Sequence, residues 1–240
     1  MPASERRGAT RTAVVWDALR PALEDGSTAS KGSACNVLDI GGGTGGFAVR
    51  VAELGHQVTV VDPSPDALAA LDRRAREIGV QVSGIQGDID GLADLVEGAD
   101  VVLCHGVLEV VDDPASALAT IRGVLRPGGT LSLLLAQRHA AVVARAMAGH
   151  FPQALALLDG HPPSGRSGRR FTVEEATGLL VDAGFEVTTV HGVRVFADLV
   201  PGSLLDLEPG ATAALVELER AVSQRSEYLP LATQLHLLAR

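Results

Sequence analysis

The chain has 240 residues and a formal charge of −9, with 46% hydrophobic and 20% charged residues, the balance of a globular protein with a full core. Aromatics make up 3%, so a surface that stacks single-stranded bases on aromatic platforms is hard to build here. The acidic total argues against broad electrostatic capture of nucleic acid or anionic lipid, though not against a local patch. The two cysteines, Cys35 and Cys104, flank or sit inside apolar strand-like runs and read as reduced core residues of a cytoplasmic protein. The seven histidines do not combine with them at metal-ligand spacing, and no metal site is expected. No apolar stretch is long enough to span a bilayer, and the polar start, Met1 to Arg11, lacks a signal-peptide core, so no membrane partner is expected.

In chain order, Arg11 to Leu23 reads as an amphipathic helix followed by a Gly/Ser linker. Short apolar runs then alternate with amphipathic segments, the signature of a parallel sheet with helices on both faces. Strands are expected at Val37 to Ile40, Gln57 to Val61, Val80 to Gln86 (weaker), Asp100 to Cys104 and Thr130 to Leu135. Between them the pattern predicts helices at Gly45 to Leu54, at Pro65 to Ile78 with Gly79 as its stop, and from Asp112-Asp113-Pro114 to Leu125; Arg126-Pro127-Gly128-Gly129 reads as a turn. Arg138 to Leu158 reads as helical, and His161 to Gly168 as a loop rich in Pro and Gly. A helix at Val173 to Ala183, a strand at Glu186 to Val195, a helix at Ala211 to Val222 and a strand at Thr233 to Ala239 complete the pattern. The expected fold is α/β, a doubly wound, mostly parallel, seven-stranded Rossmann-like sheet with a helical lid insert.

The most informative run is Asp39-Ile40-Gly41-Gly42-Gly43-Thr44-Gly45-Gly46. A strand that feeds a helix through glycines lets backbone amides approach a ligand closely. The letters satisfy two templates: Gly41, Gly43 and Gly46 fit a dinucleotide fingerprint, whereas Gly41, Gly43 and Gly45 fit the glycine turn of S-adenosylmethionine enzymes. Asp62, at the end of the second strand, is placed to accept both hydroxyls of a ribose in either case.

Gly87-Asp88-Ile89, the run from Asp100 through His105 to Glu109, and Leu125 to Gly129 follow in the order and spacing of class I S-adenosylmethionine-dependent methyltransferases, which this sequence resembles over nearly its whole length. The resemblance implies S-adenosylmethionine as cofactor and S-adenosylhomocysteine as product. It implies that the backbone around Ile40, Gly41, Gly42 and Gly43 contacts the methionine end, with Asp39 before it among the cofactor-binding residues, that Asp62 binds the ribose, and that Asp88 and Ile89 frame the adenine. On this reading residues 1–240 form one domain: N-terminal helix and linker (1–34), cofactor-binding core (35–137), lid or substrate insert (138–170) and the C-terminal part of the sheet (171–240).

Three further stretches are distinctive: Arg11 to Trp16; Leu131 to His139 continuing to Phe151; and Gly192 to Asp198 together with Leu215 to Glu219. With these the chain resembles the bacterial tRNA 5-carboxymethoxyuridine methyltransferases, which esterify the carboxylate of a modified wobble uridine. The resemblance implies that Arg11 and His105 touch the cofactor and that Arg194 lies on the substrate side. It departs from that family at Ala136-Gln137-Arg138-His139, where an aromatic–amide pair is lost.

Other readings stand beside these. His105 also reads as a satisfied core histidine, Arg11 as a surface residue, and Arg194 as an edge-strand residue that alternation points opposite to Val193 and Val195. Between Arg138 and Arg170 there are five arginines against one acid, Asp159. Arg138, Arg166, Arg169 and Arg170, with His150, form a candidate contact for a tRNA anticodon loop, or else an ordinary solvated segment. His139 and His150 are candidate bases for a hydroxyl acceptor. Three classes follow: a carboxyl O-methyltransferase acting on tRNA, an O-methyltransferase of a small hydroxyl- or carboxyl-bearing metabolite, and a non-catalytic cofactor binder.

Overall fold

The computed structural model describes residues 3–25, 34–160, 168–207 and 209–240. Helix α1 (Ala3–Asp25) precedes β1 (Asn36–Ile40), α2 (Ala48–Glu53), β2 (Gln57–Asp62), α3 (Pro65–Ile78), β3 (Ser83–Gln86), α4 (Leu92–Leu95), β4 (Ala99–His105), α5 (Pro114–Val124) and β5 (Leu125–Ala136). There follow α6 (Arg138–Met147), α7 (Phe151–Leu158), α8 (Val173–Asp182), β6 (Val187–Val193), α9 (Gly202–Leu207), α10 (Ala211–Val222), a 3₁₀ turn (Leu229–Leu231) and β7 (Gln234–Ala239).

The seven strands are ordered β3-β2-β1-β4-β5-β7-β6. β1 pairs in parallel with both β2 and β4, β2 with β3, and β4 with β5. Glu186 and Arg240 exchange both backbone hydrogen bonds (2.7 and 2.9 Å), the mark of an antiparallel pair, so the sheet is mixed at its far edge. Strand order reverses between β1 and β4. Their carboxyl ends therefore splay apart into the crevice where open α/β sheets take ligands.

Local chemistry explains the elements. Ser64 caps α3 by accepting the Ala67 N–H at 3.2 Å, Pro65 begins the helix, and Gly79 ends it at φ +83°. Asp113 caps α5 by accepting the amides of Ala115 and Ser116 at 2.9 and 3.3 Å. β1 and β4 are buried almost throughout, Asp39 and Asp100 included, because both faces are covered, as parallel strands require. Leu71, Leu103, Leu118, Ile121 and Leu131 are fully buried, each worth about 1.5–3 kcal/mol. Cys35 and Cys104 are buried free thiols whose pKa values burial raises.

The chain divides into two compact units. The first comprises Met1–Ala18, Leu135–Thr177 and Thr189–His236; the second comprises Leu19–Leu134, Gly178–Thr188 and Leu237–Arg240. The glycine turn and the acid after β2 belong to the second, whereas Arg138, His139, His150 and Arg194 belong to the first.

Several expected boundaries shift for identifiable reasons. The single helix expected over Arg138 to Leu158 is two, because Gly149 takes φ +76° and Pro152, which has no N–H to continue the first helix, stands in the first turn of α7. Arg126 to Gly129 lie within β5, looped out where the β4–β5 register jumps from Ala99↔Leu125 to Val101↔Thr130. Helix α2 begins at Ala48 rather than Gly45, since Gly45 sits at φ +79°. The third strand starts only at Ser83. The expected strand through Val195 stops at Val193, because Arg194 is left-handed at φ +62°. The alternation expected for Arg194 therefore does not apply, and Val193 and Val195 are both buried. The expected loop at His161 to Gly168 falls, but for Gly168, outside the described residues.

Candidate functional site

The second unit brings together, at the carboxyl ends of β1, β2 and β4, the residues singled out from their spacing. Gly41 donates its N–H to the Val61 carbonyl at 2.8 Å, seating the start of the turn on β2. Asp62, buried, accepts the Gly43 N–H on Oδ2 and the Ser64 N–H on Oδ1, both at 2.9 Å. Each oxygen of a carboxylate has a further lone pair, so two acceptor positions remain for a diol.

The two glycine templates make different demands on the turn. Gly45 adopts φ +79°, and a Cβ there would stand 2.3 Å from Leu71 Cδ1. A Cβ on Gly46 would meet nothing within 4 Å. The third glycine that the backbone requires is thus Gly45, the S-adenosylmethionine pattern, while the tight helix packing that a dinucleotide fingerprint asks of Gly46 is absent.

Asp39 lies beneath the turn, with its Oδ2 only 2.5 Å from where a Gly42 Cβ would be. Burial, and then the negative charge of Asp62, push its pKa up to about 7, against the lowering effect of the Ala48 backbone N–H. At the end of β4 the His105 Nε2 and Ser132 Oγ are hydrogen-bonded at 2.9 Å, and the ring stands edge-on to Phe47 with centroids 4.7 Å apart. Burial lowers its pKa to about 4, so the imidazole is neutral at physiological pH. Ile40 and Ile89 are buried, and the exposed Asp88 accepts the Gly91 N–H at 3.3 Å.

A cavity of about 710 Å³ opens at the other ends of these strands, lined by their first residues Asn36, Gln57, Ser83 and Ala99. It shares no residue with the glycine turn and lies away from the carboxyl-end crevice where such sheets take ligands.

Residues 37–129 match the family described as a methyltransferase domain. The chain is 31% identical to the tRNA 5-carboxymethoxyuridine methyltransferase of Escherichia coli strain K12, over 98% of this chain and 89% of that protein. The chain belongs to the class I S-adenosylmethionine-dependent methyltransferases. This methyltransferase is also 36% identical to the ubiquinone biosynthesis O-methyltransferase of Xanthomonas euvesicatoria pv. vesicatoria, over 55% of this chain and 56% of that one. Its fold matches magnesium protoporphyrin IX methyltransferase from Synechocystis PCC 6803 with bound S-adenosylhomocysteine, at TM-score 0.61 and 16% identity, covering 97% of this chain and 82% of that one.

The cofactor of the methyltransferase is S-adenosylmethionine, and the residues present fit it: a close-packed turn in which a Cβ on Gly41, Gly42 or Gly45 would run into Val107, Asp39 or Leu71, and a buried acid with acceptor positions to spare. The cofactor supplies an electrophilic methyl on a positive sulfur. The backbone of the glycine turn and the carboxylate of Asp62 are the groups that would hold it.

The residues expected on the acceptor side from the sequence belong to the first unit. Arg138 donates to both oxygens of Glu175 (2.7 and 2.8 Å) and to the Arg170 carbonyl (3.2 Å), so this guanidinium fastens the start of α6 to α8. His139 and His150 are exposed, as is Arg169, and Arg170 is half-buried. Arg166 and the side chain of Arg11 lie outside what is described. Arg194 forms an ion pair with Asp198, and its Nη1 donates to Gln234 Oε1 at 3.4 Å.

Phe47 beside His105 and Glu175 beside Arg138 were not singled out in the sequence, and Ser132, within the distinctive stretch Leu131 to His139, was not connected with His105. Glu219, the last residue of the distinctive stretch Leu215 to Glu219, had no role of its own in the sequence, yet it is a fully buried acid whose signal was legible. Glu219 falls at helical spacing between Leu215 and Val222, on the buried face of α10.

Proposed function

We propose that this methyltransferase O-methylates a carboxylate, that of 5-carboxymethoxyuridine in tRNA. The observation that carries the reading is the extent of the match. Similarity to the tRNA enzyme runs over 98% of the chain, whereas similarity to the ubiquinone enzyme covers 134 residues, or 55%. Methyl acceptors are recognised outside the cofactor half of such folds, so only a match that includes that remainder speaks to the acceptor.

In this reading Arg194 holds the acceptor's carboxylate through its planar fork, and Arg169 and Arg170, with Arg166, meet phosphates. A carboxylate is already ionised at neutral pH, with a reference pKa of about 4, so the transfer needs no general base. Positioning carries the rate, and alignment of reacting groups is worth roughly 7–11 kcal/mol. His105, at the end of β4 beside the glycine turn, is a cofactor contact in this reading, and the exposed His139 and His150 are the candidate bases should the acceptor be a hydroxyl.

One observation favours the second reading, an O-methyltransferase of a small hydroxyl- or carboxyl-bearing metabolite, here one with an apolar body. Val143, Met147, Phe151, Leu155 and Leu158 of α6 and α7 are all exposed, Met147 at 75% and Phe151 at 67%. Such a face suits an apolar acceptor better than a phosphate backbone. Mass spectrometry of nucleosides from cells with and without the protein separates the two. The tRNA reading expects the carboxymethoxyuridine methyl ester to vanish and the free acid to accumulate when the protein is removed. Unchanged nucleosides would leave the metabolite reading in its place.

A further inference from the structure

Immediately after β6, Arg194 takes φ +62°, the only positive φ of a non-glycine residue among the described residues. The left-handed region is unfavourable for a residue with a Cβ and persists only where the surroundings impose it. Here they do. The next three backbone amides converge on one side chain, Glu219 of α10: Val195 N–H donates to Oε2 at 2.9 Å, and Phe196 and Ala197 N–H donate to Oε1 at 2.8 and 2.7 Å. Successive amides pointing into one concavity form an anion-binding nest, and the occupant is a carboxylate with no exposed surface. Glu219 has no cationic partner among the described residues.

A buried acid held by amides alone is expensive for stability, and an apolar side chain would fill the space at lower cost. What the apolar side chain could not do is hold this turn. On its other side the Arg194 carbonyl accepts from Thr233 N–H and Oγ1 at 3.4 Å, Asp198 and Gln234 engage the guanidinium through Nη2 and Nη1, and the buried Nε has no hydrogen-bond partner. The backbone of Arg194 is thus fixed from α10, and its side chain leaves the turn in one direction with a donor still unused.

We propose that Glu219 is the positioning residue of Arg194: its buried carboxylate gathers the amides of residues 195–197, imposes the left-handed turn and so sets where the guanidinium is presented. The effect on turnover rests on the reading of Arg194 as the anchor for the acceptor's carboxylate. Gln is nearly the same shape, yet its amide group turns a donor toward one of the three N–H groups, so Glu219→Gln opens the nest without emptying the core. Glu219→Asp, which keeps the charge but falls short, is the milder second variant should the first fail to fold.

Two measurements on the full chain test this. By NMR, the folded variant should exchange the amide hydrogens of residues 195–197 at least tenfold faster, and the Arg194 guanidinium should rotate faster about its Nε–Cζ bond. Wild-type protection and rotation in a folded Glu219→Gln or Glu219→Asp protein would overturn the proposal. In kinetics with tRNA bearing 5-carboxymethoxyuridine, Glu219→Gln should lower kcat/KM at least tenfold with S-adenosylmethionine affinity unchanged, and should add nothing once Arg194→Ala is present. Effects that multiply in the double variant would make Glu219 a purely structural residue and also overturn it. Arg194→Ala at wild-type activity would instead remove the acceptor reading, and the NMR result would still decide what Glu219 does.

Discussion

The amide of Gly43 donates to Asp62 Oδ2 at 2.9 Å, so the acid that ends β2 also braces the turn that ends β1. One carboxylate braces the turn and still has two acceptor positions, the ones a ribose diol would take in the proposed reading. Asp62→Ala should therefore weaken S-adenosylmethionine binding by roughly 10- to 150-fold, the loss of about 1.5–3 kcal/mol expected for hydrogen bonds to a charged group. Titration calorimetry would show it, and wild-type affinity in this variant would mean that the acid serves the turn alone.

The two neighbouring glycines should respond differently to the same change. Gly45→Ala forces a Cβ into a left-handed backbone and to within 2.3 Å of the buried Leu71 side chain. Left-handed strain and overpacking together come to roughly 2–5 kcal/mol, a fall in Tm of about 5–15 °C for a chain of this size. Gly46→Ala meets open space and should change stability by no more than about 0.5 kcal/mol. Equal melting temperatures for the two variants would contradict the assignment of Gly45 as the required glycine.

Asp39 makes stability depend on pH with a sign opposite to that of an ion-paired acid. Its folded pKa, about 7, lies above the ordinary value of 3.8 because of burial and the charge of Asp62. The folded chain therefore holds a proton that the unfolded chain has already lost, and this group's contribution declines as pH rises from about 4 to about 7, then levels off. Each unit of separation is worth about 1.4 kcal/mol. Asp39→Asn stays neutral throughout and keeps an acceptor for the Ala48 amide. Its urea midpoint should match wild type near pH 4 and exceed it at pH 8, without cofactor. A difference independent of pH would show that Asp39 is ionised in the folded protein at all these values.

Much of the second unit was legible in the sequence because its signals are local: Ser64 and Pro65 before α3 and Gly79 after it, Asp113 before α5, apolar runs at β1 and β4. Gly45 and Gly46 could not be told apart by spacing, since both follow Gly43 closely. What separated them was Leu71, far along the chain, and a backbone angle. The acceptor side was less legible for the same physical reason. Arg138 reads as one of five basic residues until Glu175 is found beside it, and Arg194 reads as a strand residue until Glu219, 25 positions later, is seen to gather the amides that follow it. Alternation fails wherever a side chain from elsewhere dictates the turn.

The Arg138 pairing makes a prediction that distinguishes a fastening from a substrate contact. Arg138→Ala should cost about 1–2 kcal/mol, since the guanidinium is largely covered and meets both oxygens of Glu175. Glu175→Gln should cost less, and the double variant little more than Arg138→Ala alone. Thermal denaturation of the three proteins checks this. A stability unchanged in Arg138→Ala would return this arginine to the acceptor.

The most direct test is the transfer of a labelled methyl group by the purified protein to tRNA bearing 5-carboxymethoxyuridine, followed across pH 6 to 8. Carboxylate methylation predicts formation of the methyl ester at a rate flat over this range, because the nucleophile is ionised throughout. It also predicts collapse of that rate in Arg194→Ala with cofactor affinity intact. The contradicting result is no ester on this tRNA, together with a hydroxyl-bearing acceptor methylated at a rate that climbs with pH and is abolished by His139→Ala.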